Sequence, residues 1–153
     1  MSNEAEREGQ PMTGRRRDAP EAPTCKVVKA AAGFVGEQGL RYAPGVSAET
    51  VGARGIHLQM VTIPPGATSR AHKHARHETA LYVLSGRSGM RFGERLEEHV
   101  VAGAGDYLYI PADVPHQPYN LSATEPCVAI IARTDPNEQE SVVLLPELER
   151  AGR

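Results

Sequence analysis

Hydrophobic and polar residues alternate along short stretches of the chain, and turn residues separate these stretches. A period of two residues is typical of β-strands with one buried face, and the longer 3.6-residue period of an amphipathic helix is not found. We predict strands at 26–30, 56–63, 79–85, 88–92, 97–101, 107–110, 117–121, 127–132 and 141–145. Nine or ten short strands predict an all-β fold, either a barrel or a sandwich.

The stretch between the first two predicted strands, 34–55, is rich in glycine. We expect it to be irregular, with one helical turn near 46–50. In the strand at 56–63, Ile56, Leu58 and Met60 are expected to pack in one layer. His57 and Gln59 then share the opposite face, which either meets solvent or lines a pocket.

The 153 residues are expected to form one domain flanked by polar tails. Residues 1–24 are rich in Pro, Gly, Glu and Arg and lack apolar periodicity, so we predict a disordered N-terminal tail. The barrel is predicted at residues 25–147 and a short C-terminal tail at 148–153. The two cysteines, Cys25 and Cys127, suggest no disulfide framework, and a cytoplasmic location is the expectation.

Charge and hydropathy argue against two classes of partner. The net charge is −2, so no basic surface for nucleic acid is expected. No apolar run approaches the roughly 20 residues that a membrane-spanning helix needs, so no membrane partner is expected.

Three histidines and one glutamate, His72, His74, His77 and Glu78, lie within seven residues ahead of an apolar strand. In an extended strand His72 and His74 point to the same side, about 6.6 Å apart. Two imidazoles at that spacing can share one divalent metal. Far downstream, His116 stands between Pro115 and Pro118, where the backbone is partly fixed, and offers a third imidazole.

These two stretches resemble the two sequence motifs of the cupin superfamily. The first motif runs from Gly66 through His-x-His to Gly86, and the second contains Gly105, Pro111, His116 and Asn120. Asp113 replaces the second glycine of the second motif, which suggests an altered turn. The resemblance implies a single-domain cupin jelly-roll barrel, a double-stranded β-helix, with a metal held by His72, His74 and His116.

The fourth metal ligand is left open by the sequence. Counting back from Gly86 by the family spacing puts Thr79 on the metal-facing side, and His77, two residues earlier, shares that side. Glu78 then points away unless a bulge re-aims it. The His-x-His-x-x-His-Glu-Thr run is also similar to the pirin branch of the cupins. The resemblance to that branch implies a carboxylate ligand two residues after the downstream histidine, but this position is Pro118 here. The fourth ligand is therefore Glu78, His77 or water.

The resemblance implies a mononuclear-metal enzyme that acts on an oxygen-bearing small molecule, by dioxygenase-like or isomerase-like chemistry. The metal is one divalent transition metal, with Fe, Mn, Zn, Ni and Cu all compatible with histidine ligands. Glu78, if it faces the pocket without binding metal, is the candidate general base. The alternative is a non-enzymatic module that binds or senses a small ligand or a metal.

Two further expectations concern substrate and assembly. Arg70 and Arg76 flank the histidines and are candidates for binding a substrate carboxylate, although solvated arginines are the commoner case. Cupin barrels commonly pair through their sheets, so the resemblance implies a homodimer. The late apolar strand at 142–145 offers an edge for this pairing.

Overall fold

The computed structural model describes residues 23–30, 32–138 and 141–149. Disorder was predicted for residues 1–24, and residues 1–22 of this segment lie outside the described ranges. Most of the predicted C-terminal tail also lies outside them. The described residues form these strands and helices: β1 Phe34–Val35, β2 Arg41–Val46, α1 Ala48–Val51, β3 His57–Ile63, β4 His72–His74, β5 Thr79–Ser85, β6 Arg87–Phe92, β7 Glu98–Gly103, β8 Tyr107–Ile110, β9 His116–Asn120, β10 Cys127–Arg133, β11 Val142–Leu144 and α2 Pro146–Glu149.

The strands form two antiparallel sheets. The larger sheet has the order β1-β2-β3-β10-β5-β8, and the smaller has the order β11-β4-β9-β6-β7. Several neighbouring strands, such as β3 and β10 or β4 and β9, are distant in sequence, as in a jelly roll. The fold is the all-β cupin jelly roll that the resemblance implied.

The inward faces of the sheets form one apolar core. In the larger sheet, alternate residues of β10 point inward, so that Cys127, Ala129 and Ile131 are buried together. Inward residues of β3 and β5 meet them through the β10–β3 and β10–β5 ladders. The buried cluster consists of Leu40, Tyr42, Val61, Ile63, Val83, Ala102, Cys127, Ala129 and Ile131.

Most predicted strands are present, with ends shifted by one or two residues. The strand at 79–85 and that at 107–110 agree with β5 and β8, and the helical turn near 46–50 corresponds to α1. Ser47 caps α1 by accepting a hydrogen bond from the backbone N–H of Thr50 (3.1 Å). Alternation of side chains was therefore a sound guide to these elements.

Two predictions in the N-terminal third of the chain were wrong. The stretch expected to be irregular contains β2, which pairs with β3 through a register shift between Pro44 and Val46. The shift accommodates Pro44 and Gly45 within the strand. The strand expected at 26–30 is not formed, and Val27 is 96% exposed. With no buried face, this segment gains nothing from pairing.

The apolar layer predicted for Ile56, Leu58 and Met60 is not formed, although His57 and Gln59 share one face of β3 as predicted. Ile56 and Leu58 are 63% and 42% exposed, whereas His57 and Gln59 are each 2% exposed. The reason lies in the second half of the strand, where Val61 and Ile63 share the inward face with His57 and Gln59. Strict alternation carries the two polar side chains inside with these core residues.

Candidate metal centre

Strand pairing brings the three predicted histidines together. His72 and His74 alternate with the half-buried Lys73 along β4, and His116 begins β9. In the β4–β9 ladder His72 is directly opposite His116. One ring nitrogen from each histidine lies within 4.8 Å of the others, and each residue is only 3% exposed. The sequence separation of some forty residues is thus closed by one antiparallel pair.

Hydrogen bonds at Nδ1 orient the rings for binding through Nε2. His72 Nδ1 is 2.8 Å from the carbonyl oxygen of Arg70, and His116 Nδ1 is 2.9 Å from that of Val114. A carbonyl only accepts, so each Nδ1 carries the proton and each Nε2 keeps its lone pair. Carbonyl acceptors of this kind commonly orient metal-binding histidines.

The third ring has a side-chain neighbour instead of a carbonyl. His74 Nδ1 lies 3.4 Å from Oγ of the buried Ser141, just before β11. This contact leaves Nε2 of His74 available as well. The three rings can therefore each offer one nitrogen to a shared ion.

The environment keeps all three imidazoles neutral near pH 7. Burial lowers the pKa of His72 to about 3, with a further contribution from His116, and lowers the pKa of His116 to about 4. Burial, followed by the charge of Arg133, also lowers the pKa of His74. A neutral imidazole is the form that binds metal, so this histidine cluster fits a divalent transition metal.

The structure does not bring Glu78 to the histidines. Its side chain is exposed, and Oε1 accepts a hydrogen bond of 2.6 Å from the Tyr109 hydroxyl. The backbone N–H of Glu78 donates to Oγ1 of Thr134, which fixes this outward orientation. The expectation that Glu78 is the fourth ligand or the general base is therefore not supported by its position.

His77, the other candidate for the fourth ligand, is also outside the cluster. Its Nδ1 lies 3.7 Å from Oδ2 of Asp135. The chain turns at Ala75 and Arg76, where Arg76 has φ of 64°, so His77 lies outside the strand that carries His72 and His74. Among the described residues, the group of potential metal ligands contains His72, His74 and His116 only.

Asp113, which replaces a glycine of the second motif, has a backbone conformation that is usual for glycine. Its φ is 64°, the left-handed conformation in which glycine is favoured and which aspartate tolerates. Its backbone N–H donates to the carbonyl of His74 (3.0 Å), and its carboxylate accepts from the N–H of Arg76 (3.1 Å). Asp113 thereby ties the loop before β9 to the end of β4.

Thr79, rather than Glu78, faces the interior at the start of β5. It is 3% exposed, and its Oγ1 accepts a hydrogen bond of 3.2 Å from Nε of Arg133. Arg133 is 5% exposed and ends β10, where it is paired in register with both Thr79 and His57. A buried row of three polar residues therefore crosses the larger sheet at one end.

An interior cavity of about 60 Å³ lies between the sheets. Apolar core residues form most of its wall, and His72, Thr79 and Arg133 add polar groups. A more open depression of about 300 Å³ on the outside also contains Thr79 and Arg133, together with His57 and Glu78. The Thr79–Arg133 pair thus separates the cavity from this depression.

Two of these interior residues, Arg133 and Thr79, received no site role from the sequence. Arg133 follows Cys127, Ala129 and Ile131 at intervals of two, so its inward direction could be predicted. The predicted strand ended at residue 132, one residue before this signal.

The fold and the histidine cluster agree with the family to which the sequence is similar. Residues 59–132 match the family model described as a cupin domain. This segment of the chain is thus similar to a cupin domain, and it includes all three clustered histidines. No curated protein matches the chain at a significant level.

Solved structures of Bacillus subtilis oxalate decarboxylase share the fold. One, from a study of the Mn(II) centres of that enzyme, is 21% identical with a TM-score of 0.60, and the match covers 78% of this chain and 30% of that one. The enzyme at pH 4.6 gives 21% and 0.60, covering 79% and 30%. A tryptophan-to-tyrosine variant gives 22% and 0.60, with the same coverage. This chain thus corresponds to less than a third of the length of these relatives.

The described residues include no helix that is both long enough and apolar enough to cross a membrane.

Proposed function

We propose that His72, His74 and His116 bind one divalent transition metal. The observation that carries this proposal is the convergence of three buried, neutral imidazoles whose Nδ1 atoms have neighbours and whose Nε2 atoms are available. Ligation by nitrogen alone is compatible with Fe, Mn, Zn, Ni and Cu. The Mn(II) centres named for the oxalate decarboxylase make manganese the first metal to test.

We further propose that the chain is a mononuclear-metal enzyme acting on an oxygen-bearing small molecule. Three protein ligands leave positions open for water or substrate, as in catalytic metal sites. A bound metal would supply a Lewis acid or, if redox-active, a centre that activates O₂. The residues of the chain would hold the ion, exclude bulk water and orient the substrate.

The type of reaction that such an enzyme would catalyse is the more specific question. The family resemblance favours dioxygenase-like or isomerase-like chemistry, whereas the solved relatives are named as decarboxylases. Since Glu78 is exposed and bonded to Tyr109, the proposal gives it no role at the metal.

A non-enzymatic binding module is the second candidate. Two observations favour it: the cavity is only about 60 Å³, and the described residues place no acidic side chain with the histidines as a general base. A compact ligand bound without turnover would suit such a site.

Metal analysis of protein purified without chelators tests the first proposal. We expect close to one equivalent of metal per chain in the wild type and a large loss in His116→Ala with the fold retained. His99→Ala is the matched control, because His99 is an exposed histidine on β7. Full metal occupancy in His116→Ala would remove His116 from the site.

Turnover assays separate the two candidate functions. Metal-loaded protein would be assayed for O₂ uptake with diketones and catechols and for CO₂ release with small carboxylic acids. Turnover that is lost in His116→Ala identifies an enzyme. Ligand binding without turnover across the panel favours the binding module.

We also propose that two copies of the chain associate. The outer face of the larger sheet exposes large apolar side chains, with Leu58 at 42%, Leu84 at 47%, Tyr107 at 82% and Tyr109 at 57%. Exposed apolar patches of this kind mark association surfaces. The edge strand β11, suggested by the sequence, is the other candidate surface, because among the described strands it pairs with β4 alone.

A further inference from the structure

Arg133 is a buried cation without a buried counter-ion in contact. Its only hydrogen bond to a described side chain is the one from Nε to Thr79. No ion pair links it to a carboxylate within the described ranges. Burial lowers the pKa of Arg133, and the charge of Asp135 opposes this shift only at longer range. Oδ1 of Asp135 accepts hydrogen bonds from the backbone and side-chain nitrogens of Asn137. Most of the N–H donors of the Arg133 guanidinium therefore have no protein acceptor among the residues that the structure describes.

Such an arrangement is costly unless something else supplies negative charge. Arginine stays protonated in proteins, and buried charges are normally paired. Removing an ion from water is unfavourable even after relaxation of the surroundings. A guanidinium left in this state points to a ligand that completes the pair.

The position of Arg133 connects this charge to the metal centre. Arg133 and His72 line the same cavity, and the charge of Arg133 lowers the pKa of His72, His74 and His116. Burial raises the pKa of the nearby Tyr42 to about 12, so this phenol is neutral. A divalent ion on three neutral histidines would add two further positive charges. The interior would then favour an anion strongly.

Partnerless polar atoms lie beside the guanidinium. His57 is opposite Arg133 in the β10–β3 ladder, and Gln59 is opposite Ile131. Nε2 of His57 and both amide atoms of Gln59 are buried without a hydrogen-bond partner among the described residues. This end of the sheet thus holds more polar groups than the protein itself satisfies, which is rare in native interiors.

We propose that Arg133 binds the carboxylate of a small anionic ligand at the metal centre. This inference rests on the proposed metal site and names the class of its ligand. The planar guanidinium fork matches a carboxylate better than an amide or a hydroxyl. The cavity of about 60 Å³ is less than half of the ~150 Å³ that holds benzene, so the ligand is a carboxylic acid of two or three carbons.

The two arginines that the sequence suggested for this role do not reach the cavity. Arg70 is exposed and its Nε lies 3.7 Å from a carboxylate oxygen of Glu149. Arg76 is exposed in the turn after β4. Neither residue lines the space that His72 and Arg133 share.

The test compares oxalate with oxamide, its neutral diamide of similar shape, by calorimetric titration into metal-loaded protein. Both probes offer oxygen atoms to a metal, but only oxalate carries carboxylates for Arg133. We expect Arg133→Met to bind oxalate about 30-fold more weakly or worse, the loss typical of truncating one member of a buried charge pair. Binding of oxamide should change little. Arg87→Met, at an exposed arginine of β6, should bind both probes as the wild type does.

Metal content is measured on every variant and separates this inference from the proposed function. Normal metal content with oxalate binding that does not depend on Arg133 would overturn the inference and leave the metal site standing. Absence of metal in the wild type would instead reject the proposed function. If Arg133→Met does not fold, Arg133→Lys replaces it. Lysine keeps the charge but loses the fork, so undiminished oxalate affinity in Arg133→Lys would also overturn the inference.

Discussion

His72 and His116 face each other across the β4–β9 ladder, with ring centroids 4.3 Å apart. Two imidazoles this close cannot both be protonated without repulsion, and burial adds to the cost. Burial lowers the pKa of His72 from 6.5 to about 3 and that of His116 from 6.5 to about 4. The same packing that prepares the rings for a metal therefore makes the metal-free fold sensitive to acid.

We predict that metal-free protein loses stability as the pH falls from about 6.5 towards 4. In this window the unfolded chain takes up protons on these histidines while the folded chain does not, so acid favours unfolding. Each histidine adds a slope of up to about 1.4 kcal/mol per pH unit to the free energy of unfolding. Urea denaturation of chelator-treated protein at several pH values measures the slope.

The variant His116→Gln should have a shallower slope, because it removes one of the titrating rings. A wild-type free energy of unfolding that is flat between pH 6.5 and 4 would contradict the shifts of both pKa values.

We predict that Glu78→Gln retains the full metal content of the wild type. The carboxylate of Glu78 is exposed and accepts from the Tyr109 hydroxyl, so the substitution leaves the histidines untouched. Stability should change by no more than about 0.5 kcal/mol, as for other surface substitutions. Tyr109→Phe, which removes the same hydrogen bond from the other side, is the matched control. Metal loss in Glu78→Gln comparable to that in His116→Ala would restore Glu78 as a ligand.

The fate of Glu78 shows how far the sequence could define the site. Side-chain alternation counted back from Gly86 placed Thr79 inward and Glu78 outward, and β5 has this orientation. Alternation failed for His77 because Ala75 and Arg76 form a turn between β4 and β5. A strand pattern predicts directions within one strand, but it does not carry across a turn.

The polar residues of the interior could be predicted only in part. Arg133 continues an inward series of β10, yet a charged residue at a strand end is normally assigned to solvent. His57 and Gln59 alternate with apolar neighbours, so the pattern alone fitted either face. Which face of β3 is buried depends on how the other strands of the larger sheet pack. This is tertiary information that the sequence of one strand does not contain.

We predict that Thr79→Val destabilises the protein by about 1–3 kcal/mol, the usual cost of leaving a buried donor without its partner. The donor in question is Nε of Arg133, which is bonded to Oγ1 of Thr79. Metal content should be unchanged. Thr62→Val on the outward face of β3 provides the control for the loss of a hydroxyl in a strand. Equal stabilities for the two variants would show that the Thr79–Arg133 hydrogen bond contributes nothing.

We predict that Gly86→Ala is more destabilising than Gly105→Ala. Both glycines have left-handed φ, +78° and +94°, so both substitutions strain the backbone. At Gly86 a Cβ atom would also lie 2.6 Å from the carbonyl oxygen of Pro126, whereas at Gly105 it would meet nothing within 4 Å. Thermal denaturation of the two variants compares them directly. The reverse order would contradict the tight contact between Gly86 and the start of β10.

We predict a homodimer of twice 16.5 kDa by light scattering at micromolar concentration. Leu84→Glu and Tyr107→Glu should shift the protein to the monomer, because a carboxylate on the outer face of the larger sheet would be buried unpaired in the interface. Val101→Glu, at an exposed position of β7 in the smaller sheet, should leave the dimer intact. Dissociation by Val143→Glu alone would place the interface at the β11 edge instead. A wild-type mass near 16.5 kDa would reject association through either surface.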